Sequence, residues 1–381
     1  MNPLEPHPHT ASPKSRPARA ARWAALALLA AGAAQADTYI VTGLGDGSGS
    51  CVDQGAHIHH CTTLRAAMVA TNATAISDLI VLPSTGTITL TQGQLEVTAN
   101  SALTITGGAT ISGGNASRVL MIKPGATVRL ERLTIADGRV PDDGAGIAID
   151  GSTNVTLDRV TVRNNVANLS GGGIYNGGTL TVLRSTLSNN TATSYSGGGI
   201  ASRWEELTLM HSTLSGNTAG QKGGGLDSRA MATTIAFSTL VGNSAPDGGG
   251  IHASQSAGDN NVATINYSVI ANNSGGDCVT INGSTINAGW SWFGDNADCV
   301  TDDPWSSWTI GIGDPKLGPL TDNGGPTKTH LPQRDSPLID HIWIFEAEND
   351  QRGVPRPQGP GVDVGAVEVE VPLFEDGFEE P

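Results

Sequence analysis

Five side chains able to bind or move charge recur at matching places in this sequence: Tyr175, Arg203, Asp227, Arg229 and His252. Each stands two or four residues after a glycine-rich step, and Lys222 stands just before the step that leads to Asp227. Histidine titrates near neutral pH and is a natural general base, while guanidinium groups pair with carboxylates. On one face, these groups would bind a uronic-acid polymer or remove the proton beside its carboxylate. The candidate catalytic residues are therefore Tyr175, Asp227 and His252, and the candidate ligand-binding cations are Arg203, Arg229 and Lys222. The competing reading is a solvated face, where each exposed ion pair contributes only ~0–1 kcal/mol.

A second row reads Arg159, Arg184, His211, Phe237 and Tyr267. Stacked ~4.8 Å apart, His211, Phe237 and Tyr267 would form an outward strip for packing against sugar rings. Ordinary stacking of surface residues is the alternative.

Both rows depend on a repeat. GAGI ends at Ile147, GGGI at Ile174, GGGI at Ile200, GGGL at Leu226 and GGGI at Ile251, at intervals of 27, 26, 26 and 25 residues. Between them run VTVRNN (160–165), STLSNN (185–190), STLSGN (212–217), STLVGN (238–243) and SVIANN (268–273). Such a period marks a solenoid in which each coil touches only its neighbours. Short alternating runs such as LTV (180–182) and LTL (207–209) predict strands. The expected fold is all-β, a right-handed parallel β-helix of about 26 residues per coil. Ile147, Ile174, Ile200, Leu226 and Ile251 form one inward ladder, and Val162, Leu187, Leu214, Leu240 and Ile270 another, with upstream copies at Ile105 and Ile135. Ser185, Ser212, Ser238 and Ser268 stack beside the second ladder, and Asn165, Asn190, Asn217, Asn243 and Asn273 share a turn where asparagine tolerates left-handed backbone. The glycines supply positive φ at a sharp corner.

The parallel ends must be covered. Residues 62–72 predict a short capping helix, and 290–371, with Trp290, Trp292, Trp305, Trp308 and Trp343, reads as an irregular C-terminal cap. The expected organisation is 1–36 signal peptide, 37–100 N-terminal cap and first coils, 101–289 repeats, 290–371 cap and 372–381 tail. The signal peptide rests on Lys14, Arg16, Arg19 and Arg22 before an apolar run ending in Ala34-Gln35-Ala36. No stretch is long enough for a transmembrane helix. Removing 1–36 takes four basic groups and Glu5, moving the net charge from −15 to −18. Such a chain repels nucleic acid. No cofactor is expected, although Gly/Asp-rich acidic loops are candidates for Ca²⁺. Four cysteines in an exported chain suggest two local disulfides, Cys51–Cys61 and Cys278–Cys299. A Cys/His metal site around His57, His59 and His60 is the rival reading.

CTTLRAAMVATNA (61–73) with DLIVLPSTGTITL (78–90) resembles the N-terminal domain named for its CSLREA motif, with an extra Thr after the cysteine and Ala66 where that motif has Glu. The repeats resemble those of polymorphic outer-membrane-type β-helices. GDPKLGPLTDNGGPTKTHLPQRDSPLID (313–340) and DQRGVPRPQGPGVDVGAVE (350–368) resemble the choice-of-anchor Q domain of secreted bacterial proteins. The resemblance implies a right-handed β-helix exported to the surface of a Gram-negative bacterium or beyond, and no shared catalytic motif. The ending LFEDGFEEP (373–381) is similar to short DGFE tails, read as a sorting signal or an unstructured end.

Carboxylate pairs at Asp142-Asp143 and Asp302-Asp303, and the partial lyase phrases RGVPR (352–356) and LIDH (338–341), fall in turns or in the C-terminal region and make no recognised catalytic set. The sequence is thus read as a monomeric secreted or surface β-helix that binds glycans or cell-envelope material without catalysis. The alternatives are a polysaccharide lyase or glycoside hydrolase acting on an acidic polysaccharide, and a structural or adhesive rod.

Overall fold

The computed structural model describes residues 35–98, 102–254, 262–295, 311–343 and 348–370. The expected signal segment up to residue 34, the DGFE tail, Cys299, Trp305 and Trp308 lie outside them. The chain is a right-handed parallel β-helix of about eight turns with ~26 residues per coil.

One coil illustrates the rest. Ile174–Asn176 and Thr179–Leu183 lie in an 18-stranded sheet, Thr186–Ser188 in a ten-stranded sheet and Thr191–Ala192 in a four-stranded sheet. The glycine step then returns the chain to the first wall. Ile147, Ile174, Ile200, Leu226 and Ile251 pair in register, are wholly buried, and are followed by Cys278. The second ladder runs Ile88, Ile111, Ile135, Val162, Leu187, Leu214, Leu240, Ile270 and Phe293. Ile105 is not in it. It pairs with Leu130 on a third ladder, and Ile111 holds the place assigned to it.

Polar columns tie the coils together. Each asparagine Nδ2 donates to the Oδ1 of the next, Asn165 to Asn190, Asn190 to Asn217 and Asn217 to Asn243, all at 2.9 Å. Asn243 donates to Asn273 at 3.1 Å, and Asn273 ends the column on Asp277 Oδ1 at 2.9 Å. Burial raises the Asp277 carboxyl above the usual carboxylate range. These asparagines are not the left-handed residues of the turn. The residue before each one is: Asn189 at φ 54°, Gly216 at 65° and Gly242 at 69°. The paired letters NN and GN therefore divide two tasks, left-handed backbone at the first and hydrogen bonding at the second. The serine column runs one coil further than expected, with Ser268 N donating to Ser291 Oγ at 3.1 Å.

The helix Leu64–Asn72 forms where expected, with the Thr63 side chain accepting from Ala66 N as N-cap and Leu64, Ala67 and Met68 buried against the first strands. Cys51 and Cys61 are disulfide-bonded across an antiparallel pair, which removes both thiols from any metal site. Cys278 is also disulfide-bonded. No described helix is long and apolar enough to cross a membrane.

The described part of the C-terminal segment lies along the outer side of the ten-stranded sheet as a strap. Gln351, fully buried, donates to Thr186 Oγ1 and Thr327 Oγ1 at 2.9 Å and accepts from Thr213 Oγ1 at 2.7 Å. Arg356 pairs with Glu368 at 3.1 Å, both wholly buried. RGVPR (352–356) is thus a packing element, with Arg352 also paired to Asp350 at 2.9 Å.

Candidate functional site

The glycine step, repeated in register, places Tyr175, Ala201, Asp227 and His252 in one column across four coils. Arg203 and Arg229 pair in the column two residues further on, and the backbones of Lys222 and Asp247 bridge just before the step. The sequence thus brings these residues together, but they do not form an outward-facing surface throughout. Asp227 and His252 are 0% exposed.

Asp227 is the hub. His252 Nδ1 donates to Asp227 Oδ1 at 2.8 Å, and Arg203 Nη2 lies 2.7 Å from Oδ2, an ion pair outside hydrogen-bond alignment. Arg203 Nη1 also donates to the carbonyls of Ser202 and Asp227 at 3.0 and 3.2 Å. Arg229 Nε stands 3.9 Å from Oδ2, its side chain 41% exposed. Burial alone would raise the Asp227 carboxyl. The His252 hydrogen bond and the Arg203 charge outweigh it and hold the carboxyl below the usual range. An ionised Asp227 requires the proton on His252 Nδ1. Nε2 then faces Asp247, 3.7 Å away, and makes no hydrogen bond. Burial raises the Tyr175 phenol above its ordinary value, against the lowering influence of Arg203.

The sequence reading missed Trp204. The strands Ile200–Met210 and Leu226–Ala236 run continuously through the corner that other coils break. Trp204 sits on the first of them at φ 71°, next to Arg203, and is 60% exposed. Bulky turn residues of this chain share positive φ, His211 and Phe237 among them; Trp204 differs from those two in that its side chain is exposed. Glu205 braces the corner, accepting from Ser152 N and Thr179 Oγ1, each at 3.0 Å.

The second row is corrected more sharply. His211, Phe237 and Tyr267 do stack, with ring centroids 5.2 and 4.7 Å apart. They are not an open strip: His211 is 2% exposed, Phe237 is 9% exposed, Arg356 of the strap lies 5.0 Å over the Phe237 ring, and Gly365 N donates to Tyr267 O at 2.8 Å. The strap covers the rings that were expected to meet sugar.

Burial, reinforced by Arg356, lowers the His211 pKa to about 4. The unfolded ring titrates near 6.5, so the unfolded chain binds the extra proton between those values. His211 therefore contributes stability above pH 6.5 that is lost as pH falls toward 4, up to about 3 kcal/mol. Asp363, raised to about 7 by burial and Glu368, acts in the opposite sense over much of the same window. Comparison with His211→Phe isolates the histidine. The parent should lose stability relative to that variant as urea melts are taken from pH 7 to pH 4. Parallel curves would refute the assignment.

Among the described residues, no group of three or more His, Cys, Asp or Glu is placed to hold a metal ion. Comparison with protein-family models, curated proteins and solved structures gives no match.

Proposed function

We propose that the protein is an exported β-helix of the CSLREA and choice-of-anchor Q type that binds an acidic glycan of the cell envelope, without turnover, at the corner formed by Arg203, Trp204 and Arg229. The observation that carries this reading is Trp204. An indole that is 60% exposed and held at φ 71° beside a guanidinium offers a flat apolar surface and a cation to one ligand. Sugar rings with carboxylates match both. Tyr175, half-buried in the adjoining column, and Lys222 extend the polar surround. Arg229, 41% exposed, is the cation that an anion meets at this corner, and salt weakens the attraction.

Trp204→Ala with Arg229→Ala should weaken binding of oligogalacturonate at least tenfold, with the melting temperature nearly unchanged, because both side chains are largely outside the core. Titration calorimetry at two salt concentrations reads the result. Unchanged affinity would overturn the reading. The alternative, a polysaccharide lyase, draws on the unpartnered His252 Nε2. His252 is closed off, which favours binding over turnover, and new reducing ends in the same mixture would reverse that choice.

A further inference from the structure

The outer face of the ten-stranded sheet carries one threonine per coil, in register from Thr87 to Thr239. The strap occupies the last three rungs through polar contacts. Thr186 Oγ1 donates to Lys328 O at 2.6 Å, Thr213 Oγ1 to Gln351 at 2.7 Å, and Thr239 Oγ1 accepts from Ala366 N at 3.0 Å. At the next two rungs, Thr161 and Thr134, the strap gives way to a groove of about 680 Å³. That volume lies within the range of small-molecule sites. Thr161 and Thr134 are half-buried, and their hydroxyls make no hydrogen bond among the described residues. Arg163, half-buried, and Lys328, exposed, also line the groove and have no ion-pair partner among the described residues, and the carboxylate of Asp322 lines it with them.

We propose that this groove is a second glycan subsite, taking a linear uronic-acid chain laid along the coil axis. The strap demonstrates what the threonine rungs bind: polar groups presented one per coil, ~4.8 Å apart. An extended glycan presents hydroxyls at about one sugar per rung, and its carboxylates meet Arg163 and Lys328. A neutral chain would use the hydroxyl rungs alone and leave the half-buried Arg163 guanidinium without an anionic partner, so the acidic chain is favoured. The ligand class rests on the reading given under Proposed function, while the residues are wholly separate from the Trp204 corner.

The test is titration calorimetry of the full mature chain with hexameric oligogalacturonate, and with a neutral hexasaccharide of equal length. The parent should bind two acidic hexamers. Thr161→Val with Arg163→Ala should remove one, leaving the melting temperature nearly unchanged, and Trp204→Ala with Arg229→Ala should remove the other. Two sites surviving in the groove variant overturn this proposal and leave the corner intact. One site lost in the groove variant and none in the corner variant overturns the corner and supports the groove. Equal binding of the neutral hexamer overturns the role of Arg163 and Lys328, and no binding by the parent overturns both sites.

Discussion

Leu214→Asp should yield no soluble folded protein. Leu214 is wholly buried in the middle of the second ladder, paired to Leu187 on one side and Leu240 on the other. Every neighbour in that column, from Ile88 to Phe293, is apolar. A carboxylate placed there has no cation or donor within the column, and burying it unpaired costs several kcal/mol. Whole domains are stable by about 5–15 kcal/mol. The repeat makes matters worse, because each coil is held only by the coils above and below it, and a faulty central coil splits the stack. Leu214→Met, which conserves volume, should cost less than about 1.5 kcal/mol and remain soluble. Soluble yield and β-sheet circular dichroism of the two variants decide the matter. A folded Leu214→Asp protein with the parent's melting temperature would place that side chain outside the helix.

The coil was legible because the glycines of the step answer separate steric demands. In the step before Leu226, Gly223 takes φ 61°. A Cβ on Gly224 would stand 2.5 Å from the Ser244 backbone, and one on Gly225 2.6 Å from Gly250 O. The requirement is steric and local, so it is written in the sequence at four successive steps, while the step before Ile147 carries Ala145 in the middle place. Asparagine columns are legible for a related reason, since one side chain must both donate and accept between coils. Ile105 was misplaced because an apolar residue after a threonine marks any strand, and the spacing alone cannot separate two parallel ladders.

A repeat tells which residues share a column and nothing of what lies over it. Gln351 reaches Thr213 across 138 residues of sequence, and no periodicity connects them. The aromatic row was therefore correctly grouped and wrongly exposed. Trp204 left a fainter signal. The corner that reads Asp150-Gly151 and Gly177-Gly178 in earlier coils reads Arg203-Trp204 and Arg229-Ala230 in the next two, without turn residues. Two consecutive coils lacking a turn predict a continuous strand, and its outermost residue is the one to examine.

Asp227→Ala should destabilise the protein by about 3–5 kcal/mol, the range for breaking a buried charge pair by removing one partner. The substitution strands two groups at once. Arg203 loses the carboxylate 2.7 Å away while its side chain stays only 11% exposed, and His252 Nδ1 loses its acceptor inside a site with 0% exposure. Removing both charges together costs less: Arg203→Met with Asp227→Leu should fall well short of the summed single effects, because the coupled groups leave as a pair. The pH dependence has a definite sign. Asp227 is held below its ordinary value, so its stabilisation is present above the unfolded carboxylate range near pH 4 and is lost as pH falls through the folded value. The gap between parent and Asp227→Asn should therefore be wide at pH 7 and narrow on strong acidification. Urea melts at pH 7 and pH 3 give both readings, and a cost for Asp227→Ala below about 0.5 kcal/mol would mean the hub is ornamental. A large cost also fixes how binding must be tested. Arg203 belongs to the folded framework through Asp227, so its removal confounds affinity with stability, whereas Arg229, 3.9 Å from the same carboxylate and 41% exposed, can be changed to ask about the ligand alone.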